Sequence, residues 1–127
     1  MRVVDVEVSN QAGAQVDEEG AVDLVRRVVA AEGLEDAEVG LVFVSAARIA
    51  ELKGEHLGLN EPTDVLAFPI DGRDELPDGV PRQLGDVVLC PEVVREEWQE
   101  PLVHGLLHLL GYDHGADMQA RERLHAG

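Results

Sequence analysis

The chain has 127 residues, which suits a single domain spanning 1–127, and its 45% hydrophobic and 28% charged content is the balance of a soluble globular protein. Aromatics make up only 3%, so the core must be mostly Val, Leu and Ala, and a lone cysteine, Cys90, excludes an internal disulfide. A formal net charge of −16 excludes recognition of nucleic acid or anionic lipid through a broad basic surface; any nucleic-acid role needs a local positive feature, most simply a bound metal ion.

In chain order, "RVVDVEVSN" at 2–10 alternates and is rich in valine, which predicts a strand. It is far too short to span a bilayer, which takes ~20 apolar residues. With no signal peptide and one cysteine, a cytoplasmic protein is expected. Asp17 is placed to cap a helix through "DEEGAVDLVRRVVAAEG", with Val22, Val25 and Val29 on one face and Gly33 as the stop. "AEVGLVFVS" at 37–45 reads as a second strand, and Ser45 as the cap of a helix through "AARIAELKGEHL". "TDVLAFP" at 63–69 is a short apolar strand ended by Pro69. "IDGRDELPDGVPRQ" at 70–83 is loop, and "GDVVLC" at 85–90 is a fourth strand ending in Cys90, read as a small core residue. "PEVVREEW" at 91–98 allows a helical turn or two. Pro101 opens a further helix as its first residue, Gly111 ends it in a left-handed conformation, and "GADMQARERLHAG" is a short amphipathic helix. The order β-α-β-α-β-β-α-α predicts an α/β (α+β) architecture: one mixed four-stranded sheet packed with helices. The first two crossovers are expected to be right-handed and at least one strand pair antiparallel.

Three of the five histidines fall within "HGLLHLLGYDH" at 104–114. His104 and His108, four apart on a helix, share a face. Gly111 lets the chain reverse, so that His114 returns toward the same point. Three neutral imidazoles leave a fourth tetrahedral position open, the ligand count of a catalytic zinc site. The predicted centre thus sits on a C-terminal helix and the turn after it, and holds one zinc ion or another divalent transition metal. Apolar residues from Leu102 to Leu110 bury the rest of the helix, while Gly105 is expected to leave open space beside the histidines. The same spacing occurs in H-E-x-x-H-x-x-G-x-x-H zinc peptidases, but their glutamate is the general base, and here Gly105 takes its place. Peptide hydrolysis therefore loses its proton acceptor.

"HGLLHLLGYDH" resembles the signature H-G-x-L-H-L-x-G-Y-D-H of the YbeY-type rRNA maturation factors, metal-dependent endoribonucleases of bacteria. "PTDVLAFP" at 62–69 resembles their P-T-D-V-L-S-F-P, and "GDVVLC" their G-D-I-x-I-S, in the same order. The resemblance implies an α/β fold in which His104, His108 and His114 hold one zinc or similar ion in a cleft. It implies cleavage of single-stranded RNA, maturation of the 16S rRNA 3′ end on the small ribosomal subunit, and ribosome quality control; neither DNA nor a membrane is an expected partner.

The chain departs from the family pattern L-N-x-x-Y-R, reading "LKGEHL" instead. Lys53 stands for the asparagine, His56 for the aromatic and Leu57 for the arginine. That arginine serves the phosphodiester reaction in the resemblance, and leucine cannot stabilise charge on a pentavalent phosphate. Another cation, Lys53, Arg48 or Arg73, then supplies this term, or cleavage is weak. Ala67 replaces a serine, and only eleven residues separate Cys90 from Leu102, a shorter segment than in relatives. Asp64 and Asp86 are candidate bases, with loop-pinning or capping as the alternative. Asp113 either accepts a hydrogen bond from a ligand histidine or caps a turn. His56 is read as a surface residue or part of the cleft wall, Tyr112 as packing or a base-stacking face, and His125 as exposed in a fraying tail. Two rivals stand beside the ribonuclease: a zinc hydrolase of another substrate class, and a non-catalytic ribosome-biogenesis factor whose metal only orders the C-terminal loop.

Overall fold

A computed structural model describes residues 4–34, 36–57, 64–112 and 116–126. The order is β1 (Asp5–Asn10), α1 (Glu18–Ala31), β2 (Ala37–Phe43), α2 (Ala46–Leu57), β3 (Val65–Pro69), β4 (Arg82–Leu89), α3 (Pro91–Val94), α4 (Gln99–Leu109) and α5 (Ala116–Ala126). The strands form one mixed sheet in the order β1-β2-β4-β3, with β1, β2 and β4 parallel and β3 antiparallel to β4. The expected fold class and the antiparallel pair are therefore present.

Local chemistry sets the helix ends. Asp17 accepts the Gly20 N–H at 2.9 Å, and Ser45 Oγ accepts the Arg48 N–H at 3.1 Å, so both expected caps form. Gly33 (φ +85°) and Gly111 (φ +94°) end α1 and α4 in the same way. Gly33 N–H donates to Ala30 O and Leu34 N–H to Val29 O; Gly111 N–H donates to His108 O and Tyr112 N–H to Leu107 O. In each helix the left-handed turn brings two N–H groups, the glycine's and the next residue's, onto otherwise orphaned carbonyls.

The starts of α4 and β4 differ from the sequence reading. Pro101 is the third residue of α4, which begins at Gln99. It still lies within the first turn, where no N–H has an intrahelical partner, so the ring costs no hydrogen bond. The fourth strand starts at Arg82 rather than Gly85, because Arg82 and Gln83 already pair with Ala37 and Glu38 of β2, while Gln83 O and Leu84 O accept from Asp71 N–H and Ile70 N–H.

The sheet has two unlike faces. Val39, Leu41, Val87 and Leu89 join the α1 stripe of Ala21, Leu24, Val25, Val28 and Val29 and the α4 residues Leu102, Val103, Leu106, Leu107 and Leu109 in the main core. On the other face, Leu66, Val88 and fully buried Cys90 meet Ile49 of α2 in a smaller cluster that Leu52 and Phe68 flank. Cys90 is thus the core residue expected of it. No helix among the described residues is long and apolar enough to cross a membrane.

Candidate metal centre

Helix α4 lies with Gly105 against the sheet. A Cβ at Gly105 would come within 2.8 Å of Val87 Cγ1 and 3.0 Å of Val65 Cγ2. The space beside the histidines expected from this glycine is therefore occupied by the sheet, and the glycine is there to let the helix approach. The same packing excludes a glutamate at the position where the zinc peptidases carry their base.

With Gly105 turned inward, His104 and His108 are half-buried on the helix's outer side. His108 Nε2 lies 3.1 Å from His104 Nε2, with the rings 4.7 Å apart and nearly perpendicular at 81°. His104 Nδ1–H donates to Glu122 Oε1 of α5 at 3.1 Å. A carboxylate only accepts, so this bond puts a proton on His104 Nδ1 and turns its Nε2 to His108 Nε2, within hydrogen-bond reach. Two nitrogens bound to one tetrahedral zinc at ~2.0–2.1 Å stand about 3.3 Å apart. The observed separation matches that spacing closely, and the carboxylate behind His104 is the usual orienting partner of a ligating histidine. The donor set of the described pair fits a divalent transition metal. His114 and Asp113 lie outside the described residues, and among the described residues no three His, Cys, Asp or Glu side chains group around one point.

The pair opens into a cleft of about 730 Å³ lined by Asp64 and Val65–Pro69, by Glu100 and Pro101 of α4, by Glu122 and by Lys53 of α2. The structure thus brings Lys53 and Asp64 to the histidines. It separates Asp86 from them. Side chains alternate along a strand, and Val87 faces α4, so Asp86 points to the opposite face, where it lies over Gly40 in a depression with Asp5, Glu7, Arg26 and Glu38. Asp86 is no base for this cleft. The other two candidate cations are also elsewhere. Arg48 is exposed and paired with Glu51 at 3.1 Å. Arg73 donates to the terminal carbonyls of two helices, Glu32 O at 3.1 Å and Leu110 O at 3.2 Å. The His56 and Leu57 side chains lie outside the described set.

Behind the site is a second carboxylate that sequence reasoning missed. Glu32, the residue after α1, is buried, and its carboxylate accepts from Tyr112 Oη–H at 2.7 Å and His125 Nε2–H at 2.8 Å, with Arg73 at 3.4 Å and Arg121 at 3.6 Å. Burial alone pushes its pKa up, but the hydrogen bonds from His125 and Tyr112 and the charges of Arg121 and His125 outweigh burial and hold it below its ordinary value. The hydrogen bond to Glu32, reinforced by burial, raises the Tyr112 phenol in turn. His125 is therefore buried rather than exposed, because α5 docks through it. Tyr112 takes the packing alternative. Glu32 thus ties α1, the 70–81 loop, the turn after α4 and helix α5 into one node, and α5 carries Glu122 to His104.

The family model described as Endoribonuclease YbeY matches residues 6–126. Among curated relatives, the Endoribonuclease YbeY of Rhodococcus opacus is 38% identical over 136 aligned positions, covering 94% of this chain and 76% of its own. That of Micrococcus luteus is 42% identical over 134 positions, covering 92% and 83%. Among solved structures, the solution structure of TM1509 from Thermotoga maritima matches with a TM-score of 0.59 and 25% identity, over 94% of this chain and 86% of that one.

Proposed function

The chain belongs to the YbeY family of endoribonucleases, and on that premise we propose that it is a metal-dependent single-strand endoribonuclease acting in 16S rRNA 3′-end maturation and ribosome quality control. The reading places it in the cytoplasm, with the small ribosomal subunit as partner. His104, His108 and His114 would hold one zinc or similar divalent ion. The observation that carries this is the pair of Nε2 atoms 3.1 Å apart at the wall of a cleft, one ring oriented by Glu122.

When bound, such an ion supplies Lewis acidity toward a phosphate oxygen and lowers the pKa of water toward ~7. The chain's own residues do the rest. Glu122 holds the His104 proton on Nδ1. Asp64, in the same cleft, accepts the proton released by the attacking water at a carboxylate oxygen. The Lys53 ammonium offsets charge on the phosphate. Asp64, Glu100 and Glu122 make the cleft acidic, so phosphate enters only because cations stand beside it. The packing at Gly105 weighs against the peptidase alternative.

Metal analysis of the purified protein, followed by cleavage of a single-stranded RNA with and without chelator, tests the reading. His104→Ala should lose bound metal and RNA cleavage together. A variant that still cuts RNA at the wild-type rate would sink the mechanism. Metal-loaded protein that binds small-subunit particles but cuts nothing would favour the non-catalytic biogenesis role.

A further inference from the structure

The cleft is lined by both faces of β3. Leu66 and Phe68 belong to the α2 side of the sheet, whereas Val65 packs toward α4, yet all of them border the space that also meets Lys53, His104 and His108. β3 is an edge strand, so the cleft wraps around its outer edge. Cys90 N–H donates to Asp64 O and Ile70 N–H to Leu84 O, and the register between them runs without a break. Bonded pairs alternate in an antiparallel ladder, so Leu66 and Phe68 turn their main chain to β4. The main-chain N–H and C=O of Val65 and Ala67 are left on the outer edge. The two halves of the cleft therefore differ: imidazoles and a carboxylate on the α4 side, and an aromatic ring, a leucine and an ammonium on the α2 side.

The chain has only four aromatic residues. Phe43 is buried in the core, Trp98 packs against that core at the start of α4, and Tyr112 is bound to Glu32. Phe68, half-buried, is the one that reaches this cleft. The protein also carries a net charge of −16, so it gains little from the phosphates of a nucleic acid and must hold it by something uncharged. A nucleobase is uncharged and offers an aromatic face. Stacking on an aromatic ring requires a base already out of a duplex stack, which favours single strands.

Resting on the ribonuclease reading, we infer that the α2 half of the cleft is a nucleotide subsite in which one unpaired base stacks on Phe68, with its phosphate toward Lys53. The outer-edge amides of β3 lie between this subsite and the histidines, where they are available to the sugar and base edges. The acidic protein thus takes RNA through a base face and few phosphates.

The test is binding of a fluorescein-labelled single-stranded RNA pentamer to the full chain in the presence of chelator, measured by anisotropy, so that it does not depend on cleavage. Pentamers with one abasic nucleotide at each position in turn should show one position where Kd rises about 10-fold. Phe68→Leu should bind the intact pentamer about 10-fold more weakly and no longer distinguish that abasic position, while Phe68→Tyr should keep the distinction. The salt slope for wild type should be shallow, and Lys53→Gln should reduce it further by about 0.7, one single-strand phosphate contact. The inference is overturned if no pentamer binds, if no abasic position matters, or if Phe68→Leu retains the abasic penalty. Loss of the nuclease reading would appear separately, as metal-loaded protein that binds the pentamer with this pattern and never cuts RNA.

Discussion

Two histidine–carboxylate pairs are anchored one turn apart on the same short helix, α5, and they have opposite characters. His125–Glu32 is closed, with side chains only 4% and 1% exposed, and Tyr112, Arg73 and Arg121 fill the other positions around the carboxylate. His104–Glu122 is open, with exposures of 28% and 33%, and the imidazole turns its second nitrogen to another imidazole across a cleft. The chemistry of the pair is the same. In the closed pair the carboxylate is spent on holding elements together. In the open pair the carboxylate orients the ring, and the ring's Nε2 faces His108 Nε2 at the cleft wall. A histidine beside a carboxylate is thus a site only when its other nitrogen has somewhere to act.

The largest effect should come from breaking the closed pair. Glu32→Ala strips the acceptor from Tyr112, His125 and two arginines at once, and removing one side of a buried ionic network costs about 3–5 kcal/mol. Chemical denaturation should show that loss in the unfolding midpoint. A loss below 1 kcal/mol would mean that the node is no more than a surface pair, and the contrast with Glu122 would collapse.

The open pair should respond in the opposite currency. Glu122→Gln keeps a side chain that can still accept from His104 Nδ1–H but loses the charge that makes the ring a better ligand. Metal affinity should fall about 10–100-fold, while stability stays within ~1 kcal/mol of wild type because the pair is partly exposed. Competition with a chromogenic chelator measures the first and denaturation the second. If Glu122→Gln destabilises as much as Glu32→Ala with no change in metal affinity, the two pairs do the same job.

The sequence made one of these pairs half visible and hid the other. His104 and His108 are one helical turn apart, so their convergence is local geometry, and the glycine after them marks the turn. Their orienting partner, Glu122, comes from eighteen residues away and the Glu32–His125 bond spans ninety-three. Such pairings are set by how α5 docks, which no periodicity records, and α5, expected from its sequence to be amphipathic, has almost no apolar face to announce it. The strands were legible as elements because valine-rich runs between turn residues are a strong signal. The orientation of Asp86 was not, because β4 buries both Val87 and Val88. A strand covered on both faces loses the alternation that would have told which side Asp86 takes. Gly105 misled for the converse reason: a missing side chain looks like room until the sheet that fills it is known.

The smallest expected effect separates charge from shape within the closed pair. The Glu32 carboxyl is held below 4.5 in the folded protein, so its folded-state pKa lies below its unfolded one. The stability it contributes is therefore complete above about pH 4.5 and is lost as pH falls through the lowered native value. The groups facing it are Tyr112, His125, Arg73 and Arg121, and none of them supplies a replacement carboxylate. The rest of the molecule works in the other direction: acidification relieves the self-repulsion of a chain at −16 and favours the compact state. Absolute stability against pH mixes the two effects, but the gap between wild type and Glu32→Gln isolates the first. That gap, from urea unfolding at steps between pH 6 and pH 3, should be constant down to about 4.5 and narrow below it. If it stays constant to pH 3, the node holds α5 by shape and neutral hydrogen bonds, and its charge contributes nothing that the open pair lacks.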